Sequence, residues 1–204
     1  MRLNTGGTFL SDQELRNAWL VMFNKKLYEW FVNLSENEDF IQTTALTEKL
    51  RKERYDLELI VTFFVYPDNY SEFSKYDKND VLTRGLKRLA EKDLAHEIDL
   101  DGLEEKFKAT FRLLNKTLND CSFRKYYSAK KSFKGGLLES LYETVAIGLS
   151  SNINSYTDAE TDSLEKKIIE LWEDLEFTTN MGSGTNTKRR VPFMIPFGAE
   201  YFKK

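Results

Sequence analysis

Apolar residues recur at spacings of three and four along most of this chain, and no alternating apolar and polar stretch persists long enough for a half-buried sheet. That periodicity predicts amphipathic helices nearly throughout. Only 3 prolines interrupt 204 residues, while 15 Phe, 10 Tyr and 3 Trp supply bulky packing material. A first helix is expected from Ser11, where Ser11-Asp12-Gln13-Glu14 has the form of a capping box, through Leu34. Leu15, Trp19, Met22, Phe23, Leu27, Trp30 and Phe31 form its apolar face. A second is expected from Ala45 to Tyr66, ended by Pro67 and with the charged run Glu48–Glu58 mostly outward, and a third from Asn79 to Lys92. Leu100, Leu103, Phe107, Phe111, Leu114 and Leu118 mark the most regular helix of all. The segment Leu137–Leu149 is apolar nearly all round and should run through the middle of the bundle. Asp158–Leu175 is a further helix, followed by a Gly-Ser-rich loop and a tail carrying Pro192 and Pro196.

The expectation is therefore an all-α fold, an irregular multi-helix bundle of about six or seven helices in one domain spanning 1–204. Within it, 1–10 form a Gly-Gly loop, 11–176 the helical core, and 177–204 a loop and C-terminal tail. No repeat of solenoid length is visible.

Charge and cysteine content narrow the function classes. Lys and Arg number 30 against 33 Asp and Glu, a net charge of −3, so any contact with nucleic acid must be made by a local patch. The lone Cys121 cannot form an internal disulfide, the first residues lack the apolar stretch of a signal peptide, and no run is long enough to span a bilayer. A cytoplasmic chain without membrane contact is expected. His96 has no second histidine and no nucleophile or orienting partner at a meaningful spacing, so it reads as structural. Arg124 and Lys125 beside Cys121 could lower its pKa, but without a histidine partner the thiol reads as passive. The carboxylates from Glu91 to Glu105 include Asp99-Leu100-Asp101-Gly102, which hints at a calcium loop without the ligand spacing of one. No catalytic set and no metal site emerges, and no cofactor is expected in this chain.

Two local features carry possible chemistry. Asn4-Thr5-Gly6-Gly7-Thr8 ahead of a capped helix permits close backbone approach to an anion, although the spacing and lysine of a P-loop are missing and a plain turn explains the glycines equally. From Ser122 to Gly136, Arg124, Lys125, Lys130, Lys131 and Lys134 interleave with Phe123, Tyr126, Tyr127 and Phe133, and no acid intervenes. Lysines there can neutralise phosphates while aromatics stack on bases, and Lys188, Arg189 and Arg190 could join the patch in space. Solvated connectors are the alternative.

The stretch Arg2-Leu3-Asn4-Thr5-Gly6-Gly7-Thr8, then Leu10 and Glu14-Leu15-Arg16-Asn17-Ala18, resembles a signature of the GmrS-type domain of GmrSD-like restriction endonucleases. Looser likeness continues through Leu57–Ile60, Phe107–Arg124 and Leu138–Leu149. In that family the signature follows a ParB- or sulfiredoxin-like α/β domain associated with nucleotide binding and hydrolysis, and this sequence resembles only the helical portion. The resemblance implies that Asn4, Gly6, Gly7, Arg16 and Asn17 lie at the junction with such an α/β domain or chain, that Arg16 pairs with a phosphate or a carboxylate, and that Asn17 fixes backbone there. Nucleotide and divalent metal would belong to the α/β part, and DNA would be the target of the assembly. The implied function is a helical module of a nucleic-acid-directed defence protein, needing a missing or separate α/β nucleotide-hydrolysing or nuclease domain for activity. The alternative is a stand-alone helical interaction or regulatory module.

Overall fold

The computed structural model describes residues 10–182 and 186–204, and the fold is 74% helix and 3% strand. Among the described residues there are eleven helices, more than the periodicity alone suggested. Part of the surplus arises where a long apolar pattern is broken by one residue. The expected helix over 11–34 is two, α1 (Asp12–Phe23) and α2 (Lys25–Ser35). Asn24 separates them, its side chain accepting the Leu27 N–H to start α2 and its amide donating to Asp93 at 2.7 Å. The capping box forms as expected, with Ser11 and Glu14 each satisfying the other's backbone N–H.

The expected helix over 45–66 is also divided. After α3 (Glu38–Thr44), Ala45 and Arg54 adopt left-handed backbone on either side of α4 (Glu48–Lys52). α5 (Tyr55–Asn69) then passes through Pro67 rather than ending before it. Packing against α2 and α6 (Lys78–Leu94) outweighs the missing N–H so near the helix end. α7 (Leu100–Leu118) matches its periodic pattern and begins at Asp99, whose carboxylate accepts the Gly102 N–H at 3.0 Å. The hint of a calcium loop is thus a helix N-cap.

Phe107 and Phe111 of α7 are fully buried and sit 4.5 Å apart, with Phe40 of α3 and Phe63 of α5 tilted or edge-on against them at 5.0–5.7 Å. This aromatic cluster is the centre of the core. Next in sequence comes a two-stranded antiparallel hairpin, β1 (Lys125–Tyr127) and β2 (Ser132–Lys134), a departure from the all-α fold expected.

α8 is continuous but irregular, with α-helical Glu139–Leu141, a π-helical stretch Tyr142–Ile147 and α-helical Gly148–Ser150. Every residue from Ser140 to Ser150 is buried, as an all-round apolar segment requires. α9 (Thr161–Glu170) and α10 (Leu175–Asn180) replace the single helix expected over 158–175.

The expected C-terminal tail is instead α11 (Thr187–Tyr201), helical through both Pro192 and Pro196. It crosses α8 at backbone contact: a Cβ on Gly198 would stand 2.4 Å from the Thr144 carbonyl oxygen, and one on Gly148 would stand 2.5 Å from the Gly198 carbonyl carbon. Val191, Met194 and Phe202 are buried against this crossing, and the burial supports a helix whose two prolines would otherwise disfavour it. Replacing Gly198 with Ala should lower stability by about 1–3 kcal/mol, because the helices must separate to admit one methyl group. Equilibrium urea unfolding checks this, and an unchanged midpoint would contradict the close crossing.

Candidate functional site

Six charged side chains form one chain of ion pairs running from α1 to α11. Arg16 of α1 is only 3% exposed. Its guanidinium donates to Gln13 at 2.9 and 3.1 Å, to Asn79 at 3.4 Å and to Glu58 of α5 at 3.0 Å. Of the two partners the resemblance allowed Arg16, the structure supplies the carboxylate. Asn17 accepts from the Gln13 amide at 2.8 Å, a side-chain contact rather than a bond to backbone.

Glu58 also receives Lys78 of α6 at 2.8 Å, and Lys78 in turn reaches Glu139 of α8 at 2.8 Å. Arg190 of α11 closes the chain, donating to Glu139 at 2.8 Å and, through Nε and Nη2, to both oxygens of Glu143 at 2.9 Å. Three cations and three carboxylates alternate, so the burial of each charge is compensated by its neighbours. Glu58 points inward, contrary to the outward charged run expected over 48–58. Arg190 is likewise spent on this chain, which removes it from the basic patch it was grouped with.

The electrostatics follow the geometry. Burial alone would raise the Glu139 carboxyl, but Lys78, the Tyr55 hydroxyl and Arg190 together hold it down to about 2. Burial would lower Lys78, and Glu139 and Glu58 raise it instead. At Glu143 burial dominates and pushes the carboxyl up against the opposing pull of Arg190. The space among Tyr55, Glu58, Tyr66, Lys78 and Glu143 is only about 10 Å³. That is barely enough to hold one water, so no substrate enters this space and the ion pairs around it act as a brace. The Tyr66 hydroxyl beside it is buried with no protein partner among the described residues.

A different arrangement surrounds the hairpin. Lys125, Lys130, Lys131 and Lys134 are exposed, and Arg124 is tied to Asp120 at 2.6 Å. Tyr126 faces Phe133 across the strands with ring centres 4.9 Å apart, and Tyr127 is 40% exposed with the Lys125 ammonium 5.1 Å over its ring. A groove of about 840 Å³ lies between β1 with the following turn on one side and Trp172 with Thr178–Gly182 on the other, and Glu139 and Arg190 contribute to its lining. Lys188 and Arg189 are exposed at the start of α11. The structure thus brings Lys125 and Lys130 to one groove with Arg190, but with Arg190 already neutralised.

Other sequence candidates have structural roles. His96 adopts left-handed backbone just past α6, where its N–H and that of Glu97 bond the carbonyls of Asp93 and Lys92 as a helix-ending motif. Cys121 is pushed up by burial and by Asp120, the reverse of the lowering its basic neighbours suggested. Asn4, Gly6 and Gly7 lie outside the described residues. Among the described residues no group of three His, Cys, Asp or Glu side chains could hold a metal, and no helix is long and apolar enough to cross a membrane.

Sequence reasoning missed Glu58, Lys78, Glu139 and Glu143. A usable signal existed for two of them: Glu139 and Glu143 stand four apart in an otherwise apolar segment, where a buried carboxylate needs a cation. The fold and this site define a helical bundle braced by buried ion pairs with an open basic and aromatic groove. No family model, no curated protein and no solved structure matches the chain.

The depressed Glu139 gives the brace a pH signature. Its contribution to stability is fully present above the ordinary carboxylate value of about 4.5 and is lost as pH falls toward about 2. Glu139→Gln should flatten the dependence of stability on pH within that window, measured by urea unfolding across the pH series. An identical slope in the variant would show that Glu139 is not held by Lys78 and Arg190.

Proposed function

We propose that this chain is the helical module of a GmrSD-like, nucleic-acid-directed defence protein, and that an α/β nucleotide-hydrolysing partner or domain docks on α1. The observation that carries the reading is the two-sidedness of α1. Gln13, Arg16 and Leu20 are buried on one side. On the open side Leu15 is 51% and Met22 88% exposed, one above the other at helical spacing, with Leu10, Val21 and Phe23 also exposed nearby. An apolar stripe of this kind on a firmly anchored helix fits a binding surface better than a solvated one. It begins directly after the residues that resemble the GmrS-type signature, where that family carries its α/β domain.

The rest of the site is consistent with a partner supplying the chemistry. The charged residues brought together are committed to one another in ion pairs. The cytoplasm is the compartment this function implies.

Capture of the chain from its native cells through a C-terminal tag tests the reading. The expected result is an assembly or longer polypeptide well above 23.9 kDa that contains an α/β domain and hydrolyses nucleotide. Met22→Asp with Leu15→Asp should weaken a two-chain assembly by about tenfold or more without unfolding the bundle, since both side chains are exposed. In a single polypeptide the same pair should separate the domains in small-angle scattering. A lone 23.9 kDa chain, or an assembly indifferent to these changes, contradicts docking on α1.

A further inference from the structure

The groove beside the hairpin combines positive charge with open aromatic surface. We propose that it binds a single-stranded nucleic acid, with a base stacked on Tyr127 and backbone phosphates on Lys125 and Lys130. This deepens the nucleic-acid-directed reading above and rests on it.

Charge complementarity identifies the occupant. No acid occurs from Ser122 to Gly136. The acid at the groove, Glu139, is already neutralised by Lys78 and Arg190. The uncompensated charges facing the groove are therefore Lys125 and Lys130, with Lys131 and Lys134 exposed on the same hairpin. Such a field repels cations, attracts a polyanion and gives a neutral apolar partner no electrostatic gain.

The hairpin also bears costs that a purely structural turn has no reason to carry. Lys125 stands directly opposite Lys134 in the strand register, and like charges so placed destabilise a ribbon. Lys131 occupies left-handed backbone at φ 45°, where Gly or Asn would be less strained. Concentrating lysines there against the hairpin's own stability makes sense when an anion compensates them.

The aromatic surface selects an unpaired strand. Tyr127 is open on the hairpin and Trp172 lies on the opposite wall, with Met181 beside it. Bases can use such faces only when they are not stacked inside a duplex. A volume of about 840 Å³ lies within the range of ligand sites and admits a nucleotide or two. The Lys125 ammonium now over the Tyr127 ring is placed to move to a phosphate when a base takes that face.

Fluorescence anisotropy tests this with the full chain, a labelled short oligothymidylate, the matching oligouridylate and a duplex of the same length, each over a salt series. The expected result is binding of single strands in preference to duplex. Tyr127→Ala should weaken it about tenfold. Lys125→Ala and Lys130→Ala should each reduce the slope of log affinity against log salt by about 0.7, while Lys49→Ala on α4 should change nothing. Circular dichroism of each variant verifies the fold, and the two oligonucleotide chemistries show whether DNA or RNA is preferred. Duplex binding that ignores Tyr127 would overturn the groove while leaving the nucleic-acid-directed reading standing. Absence of binding to any probe would overturn the groove and the nucleic-acid part of that reading, leaving docking on α1 to its own test.

Discussion

The ion chain from Arg16 through Glu58, Lys78 and Glu139 to Arg190 and Glu143 is the constraint on which the rest of the structure depends. It links five helices that are distant in sequence through side chains whose polar atoms meet at hydrogen-bonding distance. Buried pairs are weak contributors to net stability, because desolvation offsets much of their attraction. Removing Glu58 would nevertheless cost roughly 3–5 kcal/mol, since it leaves the Arg16 guanidinium buried without a carboxylate. Each carboxylate and cation of the chain is satisfied only when α1, α5, α6, α8 and α11 stand in this arrangement.

That specificity has a direction. At one end Arg16 fixes the inner side of α1, leaving Leu15 and Met22 outward. At the other, Glu139 and Arg190 belong both to the brace and to the lining of the groove beside the hairpin. The two surfaces to which functions are proposed are thus joined by one run of charge-assisted hydrogen bonds rather than by loops. The π-helical turn of α8 is part of the same construction, since it carries Glu143 in a segment with every residue buried. The Gly148–Gly198 crossing brings α11 close enough for Arg190 to reach it.

Much of this was legible in the sequence wherever a single periodic pattern dominated. The α7 stripe, the Ser11 capping box and the all-round apolar α8 each follow from local rules. What escaped local reasoning was decided by tertiary contact. Asn24 divides a continuous apolar pattern by pairing with Asp93, far away in sequence. Pro192 and Pro196 argue for an extended tail, yet the close approach at Gly198 makes a helix of it. Arg189 and Arg190 are indistinguishable in sequence, but one is exposed and the other reaches the buried Glu143 and the part-buried Glu139, a difference set by helix phase. Lys78 left no signal at all, because its partners Glu58 and Glu139 come together only in the folded chain.

Hydrogen–deuterium exchange of the Arg16→Met variant tests most directly the claim that the ion chain holds α1 in place. The brace predicts faster exchange of α1 amides, with those of α5 and α7 around the Phe63, Phe107 and Phe111 cluster as protected as in the unaltered protein. Unchanged protection of α1 would mean that apolar contacts alone position it, and would contradict the account.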